Sequence, residues 1–164
     1  MNGINSKKFH EIKVFFDEST STLSYVVYDD LEKKCAVIDS VLDFDYSSGN
    51  IDYVNADKII SFINKKNLTL EWLIETHVHA DHLSASPYIQ NKLGGKIGIS
   101  EKISDIQNIF GKTFNAGTEF QRDGSQFDKL FKEDDQYKIG RIVCKVIHTP
   151  GHTPACHAHV IGNS

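Results

Sequence analysis

The sequence of 164 residues is 40% hydrophobic and 24% charged, which fits one globular domain with a sizeable core. Its 18 basic and 22 acidic side chains give a formal net charge of −4. This balance argues against nucleic acid as the main partner, because a phosphate-binding face needs an excess of basic charge. No apolar run approaches the length of a membrane span, and the N-terminus lacks the hydrophobic segment of a secretory signal, so we expect no membrane partner.

The three cysteines, Cys35, Cys144 and Cys156, are odd in number and widely spaced, and no CxxC motif is present. This usage argues against a disulfide framework or a cysteine-rich zinc site. We expect each thiol to be a small buried apolar residue. The pattern predicts a reducing, cytoplasmic location.

The first third of the chain predicts β-strands separated by polar turns. Apolar alternation and β-branched residues mark strands in "HEIKVFF" (10–16) and "TLSYVVYD" (22–29), and "CAVID" (35–39) returns as a short buried strand. The segment "SVLDFDYSSGNIDYV" (40–54) is rich in Asp, Ser and Gly and predicts a long loop, a kind of segment that is often functional.

The middle of the chain predicts two helices around a buried strand. Residues 55–67 carry an apolar stripe at helical spacing, and Asn55 is placed to cap them. A buried strand at 70–76 leads into the loop "HVHADH", and a helix follows from about Ser84 to Leu93 with Pro87 in its first turn.

The last part of the chain predicts strands again, with a helix among them. We expect a strand at 96–100, a helix at 101–110, one helical turn near 127–131, a strand with a glycine turn at 137–149 and a strand at 155–161. Strands and helices alternate without a strict βαβ rhythm. This order predicts mixed sheets with helices packed outside them.

Four ligand-type side chains lie within six residues of the loop "HVHADH". His77 and His79 are two apart at the end of a strand, where an extended loop can aim alternate residues to one side. Asp81 and His82 follow in the turn that enters the next helix and can point at a second position nearby. The segment therefore predicts a metal centre held by a strand end and a helix start.

A second histidine motif, "HTPGHT", lies near the end of the sequence. Its Pro-Gly pair sets a sharp turn that presents His152 as a further metal ligand. His148, at the strand end, is expected to pack or to donate a hydrogen bond that orients a ligand. For His157 and His159 on the following strand, and for His10, we expect solvent exposure.

HxHxDH followed by TPGHT resembles the metallo-β-lactamase superfamily, and the resemblance runs along the whole chain. It implies an α/β (α+β) fold, the αββα sandwich built from two similar halves, with metals at one edge. Residues 1–164 would form a single domain of this kind that holds the first half and the start of the second, with its C-terminal part missing.

Further stretches, including "CAVIDSVLDFD", "LIETHVHADHLSASPYIQNKLGGKIGI" and "HTPGHTPAC", resemble the persulfide (sulfur) dioxygenases and their bacterial β-lactamase-like relatives. This resemblance implies one Fe(II) held by His77, His152 and a later aspartate. The expected substrate is glutathione persulfide or a related small persulfide, oxidised to sulfite. His79, Asp81 and His82 would then orient the ligands and handle protons, with Asp81 and His82 as the candidate catalytic residues.

The same motifs also fit a zinc-dependent hydrolase that resembles glyoxalase II and cleaves a thioester. In that alternative, His77, His79 and His152 bind one zinc ion, and Asp81 and His82 bind the other. Zn²⁺ is therefore the alternative cofactor to Fe(II), and a thioester the alternative to a thiol or persulfide substrate.

Both assignments need a further aspartate, which the resemblance places a few residues past Ser164. No aspartate occurs after Asp135, so the sequence looks like a family member that has been cut short. We expect this chain alone to be a weak catalyst or inactive. A third hypothesis is a non-catalytic remnant that forms a homo-oligomer through an open strand edge.

Overall fold

A computed structural model describes residues 10–162 of the protein. The following elements occur in that range. They are, in chain order, β1 (Glu11–Asp17), β2 (Thr22–Asp29), β3 (Lys34–Ile38), β4 (Val41–Asp45), β5 (Asn50–Asp52), α1 (Val54–Lys65), β6 (Thr69–Ile74), β7 (Leu83–Ser84), α2 (Ser86–Leu93), β8 (Lys96–Ser100), α3 (Ile103–Thr113), β9 (Lys129–Phe131), β10 (Gln136–Ile139), β11 (Ile142–His148) and β12 (His157–Ile161). The mixture of strands and helices is the one that the sequence predicted.

These strands form three sheets. The largest has the order β1-β2-β3-β6-β8-β9, in which β1, β2 and β3 are antiparallel neighbours and β3, β6, β8 and β9 run parallel. A second, antiparallel sheet has the order β10-β11-β12, and a small third sheet joins β5, β4 and β7. Because β3, β6 and β8 are parallel, their carboxyl ends lie at the same edge of the large sheet.

Alternation along the central strands gives the large sheet two apolar faces. Val26, Cys35 and Leu73 face a core that includes Ala56, Ile59, Ile63 and Ile89 of helices α1 and α2. Val27, Ala36 and Ile74 face the opposite core, shared with Ile139, Ile142, Cys144 and Val146 of the second sheet. The order of layers is therefore helices, large sheet and second sheet.

The segment 40–54, predicted as a loop, contains the hairpin β4–β5. Its turn is closed by the Asp45 carboxylate, which accepts hydrogen bonds from the backbone N–H groups of Ser47 and Ser48 at 2.8 and 3.3 Å. Gly49 adopts a positive φ of 72°, which glycine tolerates without strain. The prediction of a loop was therefore wrong. Strand β4 of the hairpin also pairs with β7, just after the histidine motif.

Helix α1 confirms the predicted helix, but Asn55 does not cap it. The helix begins at Val54, and Asn55 lies in its first turn. The Asn55 side chain instead donates to Asp17 Oδ1 at 2.8 Å and to Asp43 Oδ1 at 2.7 Å. It thereby fastens the helix start to β1 and β4.

The helical turn expected near 127–131 is also wrong. Lys129–Phe131 form β9, which pairs in parallel with β8 at the edge of the large sheet. Phe131 is fully buried there between the two sheets, against Trp72 and Tyr137. A three-residue strand has too short a pattern to be distinguished from a helical turn.

Two histidines expected at the surface, His10 and His157, are buried, and a third, His159, is partly buried. His10 and His157 are 6% and 5% exposed, and His159 packs against Phe131 and Tyr137 on the inner face of β12. Polar residues on a strand gave no signal that this face points into the protein. The His148 Nε2 donates to the Pro154 carbonyl at 2.8 Å, a hydrogen bond within its own turn rather than one to a predicted metal ligand.

Two of the three cysteines have the burial that the sequence predicted. All three thiols are free; Cys35 and Cys144 are buried as expected, whereas Cys156 is partly exposed. The Cys156 sulfur accepts a hydrogen bond from the Thr153 backbone at 3.2 Å in the Pro-Gly turn. Among residues 10–162, no helix has the length and apolar character needed to cross a membrane.

Because His159 is partly buried, we predict that the protein loses stability in mild acid. Burial, together with the nearby His157, lowers the pKa of His159 to about 4, whereas an unfolded histidine has a pKa of about 6.5. Between these values the unfolded chain binds more protons, so the free energy of unfolding falls as the pH decreases from about 6.5 toward 4. We expect His159→Gln to flatten this decline in urea unfolding at pH 7.5 and 5, whereas His148→Gln should keep it. An equal decline in His159→Gln would contradict the assignment.

Candidate metal centre

The site lies where β3 and β6 end at the same edge of the large sheet. Asp39 follows β3 directly, and the segment from Glu75 to His82 follows β6. The backbone N–H of Asp39 donates to the Ile74 carbonyl at 2.9 Å, which ties the two strand ends together. The parallel topology therefore brings a carboxylate beside the histidine motif.

Asp39 holds the start of the histidine loop through three contacts. Its Oδ1 accepts from the Thr76 backbone N–H at 2.8 Å and lies 3.1 Å from His79 Nε2. Its Oδ2 accepts from the Thr76 hydroxyl at 2.8 Å. Burial alone would raise the pKa of the Asp39 carboxyl, but the hydrogen bonds from His79 and Thr76 lower it. Asp39 is therefore ionised at neutral pH.

The hydrogen bonds around His77 determine which ring nitrogen carries its proton. Thr76 gives its single hydroxyl proton to the Asp39 carboxylate, so the same oxygen accepts from His77 Nδ1 at 2.9 Å. Burial and the neighbouring His79 lower the pKa of His77, which keeps its ring neutral. His77 Nε2 is therefore left with a lone pair, the form that binds a metal ion.

In His79 the two ring nitrogens have the opposite roles to those in His77. Its Nε2 lies 3.1 Å from Asp39 Oδ1 and 3.4 Å from Glu75 Oε2, and both are acceptors. Burial opposes a positive charge on the ring, but these two carboxylates outweigh it and raise the pKa of His79 to about 10. Since Nε2 is used in this way, Nδ1 is the nitrogen that His79 can offer to a metal ion.

His82 has a buried nitrogen without a hydrogen-bond partner. Its Nδ1 donates to the Leu83 carbonyl at 3.0 Å, which leaves a lone pair on Nε2. That Nε2 has no partner among the described residues, and the side chain is only 7% exposed. A buried polar atom left in this way is costly, and a bound cation would satisfy it.

The turn between β11 and β12 brings His152 to the same edge. Its base is closed by a hydrogen bond from Thr149 N–H to the Cys156 carbonyl at 3.0 Å. The backbone N–H of His157 donates to the Thr76 carbonyl at 2.9 Å and joins the second sheet to the histidine loop. The exposed His152 ring then lies 5.0 Å from the His77 ring, centroid to centroid.

All five sequence-predicted site residues meet here, although not at equal distances. His79, Asp81 and His82 each offer a ligand atom within 4.8 Å of one another. The His77 and His79 rings are 4.1 Å apart, and His152 approaches from the His77 side. Metal-ligand roles remain predictions, but donors from strand ends 75 residues apart converge as the motifs predicted.

The site opens into a cavity of about 570 Å³, a size that suits a small molecule. Asp39, His77, His79, Asp81 and His152 line one side of it, and Ser21, Thr22 and Leu23 line the other. Asp81 lies at the exposed rim, where its backbone carbonyl accepts from the Tyr46 hydroxyl at 3.3 Å. A substrate can therefore reach the histidines from the side of the β1–β2 turn.

Sequence reasoning missed two carboxylates of this site, Asp39 and Glu75. Asp39 had a usable signal, because it directly follows a buried strand whose parallel neighbour ends in the histidine motif. Glu75 lies inside the quoted motif, but its contacts depend on Ser84 and Ser86, whose side chains turn back toward it from the start of α2. No periodic pattern in the sequence indicates that these two serine side chains contact Glu75.

The residues present fit a transition-metal ion. His77, His79 and His82 each use one ring nitrogen in a structural hydrogen bond or ion pair and keep the other for a ligand. Imidazole nitrogens combined with the Asp81 carboxylate suit Zn²⁺ and Fe²⁺ rather than Ca²⁺ or Mg²⁺, which prefer oxygen ligands.

The chain is similar to known proteins along most of its length. The family model described as the metallo-beta-lactamase superfamily matches residues 19–163. A probable metallo-hydrolase of Burkholderia pseudomallei (strain 1710b) is 46% identical over 150 residues, covering 92% of this chain and 51% of that protein. Glyoxylase B2 of Dictyostelium discoideum is 41% identical over 154 residues, covering 93% of this chain and 53% of that protein.

More distant similarity extends to proteins that are named for a different activity. The mitochondrial persulfide dioxygenase ETHE1 of Homo sapiens is 23% identical over 152 residues, covering 93% of this chain and 48% of that protein. The crystal structure of ETHE1 from Myxococcus xanthus superposes with a TM-score of 0.68 at 22% identity, over 92% of this chain and 53% of that one. The structural similarity confirms the expected fold.

The chain spans about half the length of these relatives. The similarity therefore does not by itself assign the activity, substrates or partners of these relatives to this chain. That residues 1–164 belong to a single domain also stays a prediction.

The geometry predicts which histidines matter for metal affinity. We expect His79→Ala and His82→Ala each to weaken Zn²⁺ binding by more than about 100-fold, since each removes a donor that is already oriented. His148→Ala is the matched control, because that ring is bonded within its own turn. Competition with a coloured zinc chelator measures the affinities. Unchanged binding by His82→Ala would contradict the assignment.

Proposed function

Because this chain belongs to the metallo-beta-lactamase superfamily, we propose that it carries the metal centre of an enzyme, most specifically an Fe(II)-dependent persulfide dioxygenase. The substrate would be glutathione persulfide or a related small persulfide, oxidised to sulfite. The observation that carries the proposal is the pair His77 and His152, which meet at an open cleft. Two histidines and one carboxylate on one face of iron leave room for both a thiolate and dioxygen.

The chain's own residues support this chemistry by binding and orienting. Asp39 and Thr76 fix the His77 ring with its Nε2 toward the cleft. Partial burial alone would raise the pKa of the Asp81 carboxyl, but its own backbone N–H and the nearby His82 and His79 lower it. Asp81 is thus ionised at the cleft rim, where it can accept a hydrogen bond from an entering thiol.

A zinc-dependent thioester hydrolase is the second candidate. It is favoured by Asp81 and His82, the proposed ligands of a second zinc ion, whose ligand atoms lie within 4.8 Å of that of His79, a proposed ligand of the first. It is also favoured by the 41% identity to the Dictyostelium glyoxylase B2. A metal ion bound there would activate water for attack on a carbonyl.

Several expectations from the sequence accompany the proposal. The cytoplasmic location rests on the free cysteines, and the absence of a nucleic-acid or membrane partner rests on composition and net charge. A homo-oligomer formed through an open strand edge is the remaining possibility for a non-catalytic chain. These stay predictions, and none of them depends on the choice between iron and zinc.

The two activities are separated by a paired assay of this chain. After anaerobic loading with Fe(II), we expect slow O₂ uptake with glutathione persulfide that matches sulfite formation and is abolished in His77→Ala. The rate is expected to be low because Asp81 is the only carboxylate among the predicted ligands, whereas the proposed triad needs a further aspartate. Hydrolysis of S-lactoylglutathione by the zinc-loaded chain, without O₂ uptake by the iron-loaded one, would replace the proposal by the hydrolase. Neither activity above the His77→Ala background would contradict both.

A further inference from the structure

A buried carboxylate behind the histidine loop belongs to none of the metal-ligand assignments. Glu75 is 4% exposed and lies at the end of β6. Its Oε1 accepts hydrogen bonds from the hydroxyls of Ser84 and Ser86, each at 2.5 Å. Its Oε2 lies 3.4 Å from His79 Nε2, an ion-pair distance, and has no hydrogen-bond partner among the described residues. Burying a charge is costly unless it is paired and hydrogen-bonded, so these contacts indicate a specific role.

The contacts of Glu75 join both ends of the histidine loop. Glu75 precedes the loop, whereas Ser84 closes it in β7 and Ser86 is the first residue of α2. The Ser84 oxygen also accepts from the Ser86 backbone N–H at 3.1 Å. One carboxylate therefore fixes the entry and the exit of the segment that holds His77, His79, Asp81 and His82.

Glu75 also contributes charge at one imidazole. Asp39 already lies 3.1 Å from His79 Nε2, so Glu75 places a second carboxylate on the same nitrogen. Both carboxylates lie on the Nε2 side of the ring, away from the Nδ1 that can bind a metal ion. In a partly buried site, negative charge at this distance stabilises a cation on the far side of the ring.

We propose that Glu75 is a positioning residue of the metal centre, which orients His79 and supplies negative charge that compensates for a divalent cation. Ser84 and Ser86 hold its carboxylate in place. The proposal rests on the proposed metal centre and on His79 as one of its ligands.

Glu75→Gln tests the charge with almost no change of shape. The amide oxygen can still accept from the serine hydroxyls, but the amide NH₂ then faces the N–H of His79, donor against donor. We expect the affinity for Co²⁺ to fall at least about tenfold and the ligand-field absorption of bound Co²⁺ to change. In the metal-free chain, we expect the His79 ring N–H resonances to shift.

Glu71→Gln is the matched control for a carboxylate on the same strand. Glu71 lies within β6, four residues before Glu75, and its carboxylate accepts a hydrogen bond from the Gly140 backbone N–H at 2.9 Å. The control should leave Co²⁺ affinity and the His79 resonances unchanged. The double variant Ser84→Ala/Ser86→Ala retains the charge but loosens the carboxylate, so its Co²⁺ affinity should lie between those of the wild type and Glu75→Gln.

The outcomes separate this proposal from the proposed function. Co²⁺ affinity within about twofold of wild type in Glu75→Gln, with unchanged His79 resonances, would overturn the role of Glu75. If the wild-type chain bound no Co²⁺, the proposed metal centre would fail, and the His79 resonances would still decide whether Glu75 orients that ring. If Glu75→Gln did not fold, the double variant Ser84→Ala/Ser86→Ala would be the test. Wild-type Co²⁺ affinity in that variant would overturn the proposal that the two serines hold the Glu75 carboxylate in place.

Discussion

The candidate site depends on one carboxylate, Asp39, and on the proton it accepts from Thr76. That hydrogen bond leaves the Thr76 oxygen able to accept only, so His77 donates from Nδ1 and keeps its Nε2 lone pair for the cleft. The same carboxylate lies against Nε2 of His79. The large sheet supplies this arrangement, because its parallel strands end side by side and bring residue 39 next to the histidine motif.

The second sheet and the small third sheet position the parts of the site that Asp39 does not contact. The hydrogen bond from His157 to the Thr76 carbonyl brings the turn that carries His152 to the cleft. The pairing of β4 with β7 fixes the exit of the histidine loop, where Ser84 contacts Glu75. Donors from two parts of the sequence are therefore held in place by backbone pairing before a metal ion binds, which is what a selective metal site requires.

Much of this was accessible from the sequence, and the misses have physical causes. Buried strands were predicted because both their faces are apolar, and the ligand-type side chains were predicted because they cluster at strand ends. The hairpin at 41–52 was missed, although its own pairing is local, because turn-forming Asp, Ser and Gly residues dominate the segment. His159 was placed wrongly because a strand with polar residues does not reveal which face is buried. Glu75 was missed because its partners meet it only after the helix α2 has formed.

The most direct test of this account is the protonation of the histidine rings in the metal-free chain, read from two-bond ¹H–¹⁵N correlation spectra at neutral pH. We expect His77 to be neutral with its proton on Nδ1, because Thr76 accepts it there. We expect His79 to carry protons on both nitrogens, because Asp39 and Glu75 stabilise its charge. A proton on Nε2 of His77, or a neutral His79, would contradict the claim that Asp39 organises the site.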